Sequence, residues 1–207
     1  MQVLSVLMTW VVDQGWADEN PLMGVKKLKG KGDGYTPWSE PQIAHFLAYA
    51  EEKAPHVWLG VMLGLHTGQR VGDVVAMEWS QYLGGEVRVR QSKTGELLDI
   101  PASLALKEAL ENAPRGGDGV ARILLNANKR PYKNPNTFAT ALGRAVKASG
   151  LSLLSFHGLR YAQAARLEAA GCTLAQITSI IGHRAYQMAV QYATKRANAQ
   201  GAIVNLS

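Results

Sequence analysis

The chain has 207 residues, room for one well-buried domain and part of another but not for two full ones. Lysine and arginine number 22 against 16 acidic residues, a formal charge of +6, which favours an anionic partner without by itself specifying nucleic acid. A single cysteine, Cys172, excludes an intrachain disulfide and a cysteine-rich zinc site and fits a reducing cytosol.

Residues 3–12 carry apolar side chains at helical spacing, and that helix is expected to stop near Gly15, ahead of Asn20-Pro21. Lys26 to Gly34 is basic, glycine-rich and aperiodic, and reads as a linker. Its lysines, Lys26, Lys27, Lys29 and Lys31, serve either to solvate a hinge or to follow a phosphate backbone. Ser39 and Gln42 have the spacing of a capping box, with Ile43, Phe46 and Leu47 as the buried stripe behind it. A second helix is predicted from Pro55 to about His66, apolar on most of its surface. Its apolar run, Val57 to Leu65, is about half the length of a membrane span, and the N-terminus lacks the pattern of a signal peptide, so no membrane partner is expected. After the Thr67-Gly68 break a third helix begins near Arg70, with Val71, Val74 and Val75 facing inward.

From Glu86 to Pro101 the periodicity changes to two: Val87 and Val89 alternate with Arg88 and Arg90, and Ser92-Lys93-Thr94-Gly95 turns the chain back, which predicts an antiparallel hairpin. Helices resume over 104–110 and 136–148, with a short apolar run, Ile123 to Leu125, between them. The remainder reads as helical, with Thr173 and Gln176 as another capping box. His45, His56 and His66 read as structural residues.

Six side chains stand out for chemistry: Arg70, Lys93, His157, Arg160, His183 and Tyr192. A tyrosine is a weak nucleophile, because with a pKa near 10 only about one molecule in a thousand is phenolate at neutral pH. Attack on a phosphodiester adds charge to the non-bridging oxygens, and arginine forks are suited to hold it. His157 and Arg160, three residues apart on a helix, project from one side. Taken singly, each has an ordinary alternative. Arg70 has Asp73 as a ready carboxylate partner, His183 follows Gly182 where a histidine can cap carbonyls, Lys93 suits a solvated turn, and Tyr192 suits half-buried packing.

In combination, the Thr-Gly turn before Arg70, the hairpin lysine, His157-Gly158-Leu159-Arg160, Gly182-His183 and a tyrosine nine residues later resemble the tyrosine recombinases, the family of phage integrases and chromosome-dimer resolvases. Leu167 to Gly171 and the helix up to Ile181 are similar to the family pattern as well, and the likeness runs from Tyr35 to Thr194. Two positions depart from it: Tyr161 stands where a histidine is common, and Tyr186 offers a second phenol before Tyr192.

The resemblance implies a mainly α-helical catalytic domain with a small antiparallel β-sheet over 35–207, preceded by the basic linker at 26–34 and, at 1–25, the last helix of a core-binding domain. It implies site-specific recombination of double-stranded DNA as an integrase of a phage or mobile element in the bacterial cytosol or nucleoid, through a 3′-phosphotyrosyl bond made by Tyr192. Lys93 would then be the general acid, His157 the proton acceptor, and Arg70, Arg160 and His183 the phosphate contacts. Asp73 would orient Arg70, and the lysines of the linker with Arg88 and Arg90 would bind DNA. No metal or other cofactor is implied, and assembly into a tetramer on DNA from a monomer is expected. The alternatives are a chromosome-dimer resolvase, a type IB topoisomerase-like enzyme, or a prophage remnant that binds DNA without cutting it.

Overall fold

In the computed structural model, which describes residues 2–25, 35–117 and 119–182, the chain falls into two units, Met1–Gly34 and Tyr35–Ser207. In the first unit, α1 (Gln2–Asp13) carries exposed apolar side chains, among them Val3, Val6 and Trp10. Gly15, at φ 68°, ends the turn that follows it. Asn20 folds the next segment back on α1 by donating to Ser5 O at 3.0 Å and to Thr9 Oγ1 at 2.9 Å, and Trp16 packs edge-on against Trp10. The helix thus owes its cohesion to local hydrogen bonds and one aromatic pair.

The second unit is mainly α-helical with a small three-stranded antiparallel sheet, the fold class that the resemblance implies. Its helix α2 (Glu40–Lys53) begins on the Ser39–Gln42 capping box, in which each side chain accepts from the other residue's backbone. The next helix, α3 (Pro55–Thr67), is apolar on all sides and accordingly central: Val57, Val61, Leu63 and Leu65 are almost wholly buried. A side chain at Gly64 of α3 would place its Cβ 2.4 Å from Phe156 Cζ, so a glycine here lets the first residue of α7 (Phe156–Ala169) sit against the α3 backbone. That contact fixes the register of His157 and Arg160 relative to the end of α3.

The remaining elements complete one core. Helix α4 (Val71–Ala76) buries Val74 and Val75, with Val71 partly covered. A 3-10 turn at Trp79–Gln81 leads into β1 (Tyr82–Leu83), β2 (Glu86–Arg90) and β3 (Leu97–Pro101), in the order β1-β2-β3. The register pairs Val87 with Ile100 and Val89 with Leu98 on the buried face, and Arg88 with Asp99 on the outer face. The two-residue strand β1 and the 3-10 turn add to the hairpin predicted from sequence. Helices α5 (Leu104–Glu111), α6 (Pro135–Ala148) and α8 (Leu174–Ile181) close the domain, the last on the Thr173–Gln176 capping box. No helix among the described residues is long and apolar enough to cross a membrane.

His45 and His66 have structural partners. His45 Nε2 lies 2.8 Å from Ser149 O, and Ser103 Oγ lies 2.8 Å from His66 Nδ1. Burial, with Arg166 as a smaller cause, lowers the His66 pKa from 6.5 to about 4. The unfolded chain therefore takes this proton near pH 6.5, whereas the folded chain resists it until about pH 4. Stability associated with His66 is complete above pH 6.5 and is lost as the pH falls through that window. Urea unfolding at pH 7 and at pH 4.5 should show a smaller acid loss for His66→Gln than for the parent. Equal losses would remove His66 from the account.

Candidate functional site

The end of α3 supplies the first cation. Thr67 closes the helix by donating its hydroxyl to Leu63 O, Gly68 turns left-handed at φ 62°, and Gln69, fully buried, donates to Thr67 O and across to Ile180 O at 2.8 Å. Arg70 follows in extended conformation as the N-cap of α4, its side chain mostly covered. Its Nη1 donates to Gln91 Oε1 at 3.2 Å and stands 4.0 Å from Asp73 Oδ2. The other Asp73 oxygen, Oδ1, accepts from the backbone N–H of Ser92 at 2.9 Å, so this buried carboxylate ties α4 to the β2–β3 turn and also faces Arg70. Asp73 Oδ2 makes no hydrogen bond among the described residues.

Lys93 occupies that turn and is exposed, as the sequence pattern of the hairpin predicts. Two backbone bonds of 2.8 Å, Gln91 N to Glu96 O and Gly95 N to Gln91 O, hold the turn at its neck. Of the two outward-facing arginines of β2, Arg88 is engaged with Asp99 at 2.6 Å and Arg90 donates to Gly95 O at 3.1 Å. Arg90 therefore braces the Lys93 turn, and any contact of Arg88 with phosphate competes with its carboxylate.

The third contribution comes from the first turns of α7. The segment before α2 crosses the N-terminus of α7, where Trp38 Nε1 donates to Ser155 O and Trp38 N to Gly158 O. Tyr35, at the start of that segment, lies over the imidazole of His157 with ring centroids 4.5 Å apart and planes 31° from parallel. Arg160 is 4% exposed. Its Nη1 donates to Gly68 O at 2.6 Å and its Nη2 to Ile181 O, so one guanidinium links the end of α3 to the end of α8. Each terminal nitrogen carries a second hydrogen, which leaves the fork able to serve an anion as well.

The electrostatics tie these groups to one place. The His157 pKa is lowered first by burial and then by the positive charges of Arg160, Arg70 and Lys93, contributed by three separate segments of the chain. Burial, followed by Arg70, brings Arg160 down to about 10, against the favourable influence of Asp73, Tyr161 and Glu96. At neutral pH the imidazole is thus kept neutral and able to accept a proton, while Arg160 remains charged. A concentration of cations around a neutral base suits a polyanion attacked by a nucleophile that must give up a proton.

His183 and Tyr192, together with Tyr186 and the linker lysines Lys26, Lys27, Lys29 and Lys31, lie outside the described residues. The helix leading to them ends inside the cluster: Ile181 O accepts from Arg160 and from Gln91 Nε2, and Gly182 follows at φ 78°. Sequence reasoning missed Gln91, Gln69 and Tyr35. For Gln91 a signal was present, because the period-two pattern that buries Val87 and Val89 also points residue 91 inward, where a polar side chain needs partners. No comparable local signal marks Tyr35.

A model of the phage integrase family matches residues 38–199. The integrase of Enterobacteria phage 434 is 35% identical over 198 residues, covering 89% of this chain and 54% of that protein. The structure of a lambda integrase dimer bound to a COC' core site is similar with a TM-score of 0.74 at 30% identity, covering 92% of this chain and 57% of that one. A lambda integrase tetramer bound to a Holliday junction gives a TM-score of 0.72 at 28% identity, covering 88% and 56%. The chain spans about half the length of the curated relatives it matches.

Proposed function

The chain belongs to the phage integrase family, and on that premise we propose that it cleaves and rejoins double-stranded DNA in site-specific recombination, as the integrase of a phage or mobile element. The observation that carries this reading is the hydrogen-bonded joining of the Arg70 segment, the Lys93 turn and the His157–Arg160 helix at the end of α8, through Arg160 and Gln91, where the chain leads on to His183 and Tyr192. In the proposed reaction the Tyr192 oxygen bonds to phosphorus, the bond from phosphorus to the 5′-oxygen breaks, and a 3′-phosphotyrosyl link remains. His157 takes the phenolic proton, and Lys93 gives one to the departing 5′-oxygen. Arg70 and Arg160, with His183, hold the charge on the non-bridging oxygens, and Asp73 keeps Arg70 and the lysine turn in place. Reversal of the same proton movements reseals the strand.

Around this centre we assign residues 35–207 to the catalytic domain, 26–34 to a basic linker and 1–25 to the last helix of a core-binding domain. Lys26, Lys27, Lys29 and Lys31 follow the DNA backbone, with Arg88 and Arg90 on the outer face of the sheet as further contacts. The proposed setting is the bacterial cytosol, with assembly into a tetramer on DNA. That lambda integrase has been seen as a tetramer on a Holliday junction supports this assembly. The test is covalent trapping: a nicked suicide duplex carrying the core site at the boundary of the integrated element, incubated in EDTA, should yield a protein–DNA band that survives SDS. Binding without such a band would favour a DNA-binding module that does not cut.

A further inference from the structure

Resting on the strand-cleavage reading above, we propose that Gln91 is a positioning residue for Lys93 in that reaction, its side-chain amide fastening the Lys93 turn to Arg70 and to the end of α8. Gln91 is 1% exposed, in the residue that joins β2 to the lysine turn. Its Oε1 accepts from Arg70 Nη1 at 3.2 Å and from Thr94 Oγ1 at 2.9 Å. Its Nε2 donates to Gln69 Oε1 at 2.7 Å and to Ile181 O at 3.3 Å. An amide offers two acceptor sites and two hydrogens, so every capacity of this side chain is used. Its orientation is also determined, because a guanidinium can only donate and a backbone carbonyl can only accept.

Each partner belongs to a segment that delivers a reacting group. Arg70 and Gln69 come from the end of α3, Thr94 is the neighbour of Lys93, and Ile181 is two residues before His183. The backbone of Gly182 lies against the same amide: a Cβ there would stand 3.0 Å from Gln91 Nε2 and 3.1 Å from Oε1, at a φ of 78° that favours glycine. Gln91 is therefore a single point of reference for three loops that have no continuous secondary structure between them. Lys93 itself is exposed, and a long ammonium side chain has many rotamers, so the placement of its nitrogen depends on a turn backbone anchored at Thr94 and at the Gln91 neck. A displacement of about 1 Å in such a group costs on the order of 100-fold in rate.

The experiment compares the parent, Gln91→Met and Lys93→Ala on two suicide duplexes, one with an ordinary scissile phosphate and one with a 5′-bridging phosphorothiolate, whose sulfur leaves without a proton. Methionine fills the space of glutamine without its polar atoms. Gln91→Met should cleave the ordinary duplex roughly 10- to 100-fold more slowly than the parent and recover most of that loss on the phosphorothiolate, as Lys93→Ala should. A purely structural role would slow both substrates alike, so equal loss on the two, or no loss on either, overturns the assignment. If Gln91→Met does not fold, Thr94→Val removes the hydroxyl that donates to Gln91 Oε1 and accepts from Glu96 N at 3.5 Å, both bonds of the Lys93 turn, and its defect should show the same selective recovery at smaller size. Absence of recovery there overturns the proposal equally. Failure of the parent to form adduct on either duplex overturns the strand-cleavage reading and this proposal with it, an outcome distinct from a cleaving parent whose variants show no selective recovery.

Discussion

Tyr192→Phe should abolish the SDS-resistant DNA adduct while leaving DNA affinity nearly unchanged, since it deletes one hydroxyl and keeps the ring. Ile181 O is held by Arg160 and Gln91, so the chain departs from the midst of the cationic cluster, and nine residues separate His183 from Tyr192. A phenol needs a base at neutral pH, and His157 is fitted to be one because burial and three neighbouring cations keep its imidazole neutral. Without the phenolic oxygen no covalent bond to phosphorus forms, whatever the state of the remaining groups. Tyr186→Phe, three residues beyond His183, should retain the adduct. The reverse pattern, with adduct kept by Tyr192→Phe and lost by Tyr186→Phe, would transfer the nucleophile to Tyr186.

The sequence made legible those features whose cause is local. Ser39–Gln42 and Thr173–Gln176 announce helix starts because a capping box is a four-residue device, and α3 announces its burial through a run with no polar face. Val87, Val89, Leu98 and Ile100 declare the hairpin by alternation. Strand β1, at two residues, is too short to show any period, and Glu78 with Gln81 caps a 3-10 turn where no apolar stripe follows. Within the site, Arg70 and Lys93 were identifiable because each sits at a break that glycine or turn residues mark. The long-range contacts were not, since Arg160 reaches Gly68 across 92 positions and Gln69 reaches Ile180 across 111, and no local pattern encodes such contacts. The alternative considered for Arg70, a pairing with Asp73, coexists with the arrangement seen: the carboxylate faces Arg70 at 4.0 Å while its other oxygen holds the turn.

Arg160→Ala should lower the cleavage rate by roughly 100-fold or more, the usual scale for losing a contact to a developing oxyanion. Two further consequences follow from its burial. Gly68 O would lose its guanidinium partner and Ile181 O would keep only Gln91 Nε2, and an unsatisfied buried acceptor costs about 1–3 kcal/mol, so the melting temperature should also fall. Arg160 is also the largest charge influence on His157, second only to burial in lowering its pKa. Removing that positive charge raises the His157 pKa, and a base with a raised pKa loses activity at a higher pH on acidification. The acid limb of the cleavage–pH profile should therefore move upward in Arg160→Ala, toward the ordinary imidazole value. Arg160→Lys separates the effects: it retains a positive charge beside His157 and so should leave the acid limb near its original place, but one ammonium cannot bridge two carbonyls and fork onto a phosphate. A slow Arg160→Ala whose acid limb matches the parent would detach His157 from this charge cluster, and a rate within about threefold of the parent, well short of the oxyanion scale, would remove Arg160 from the reaction.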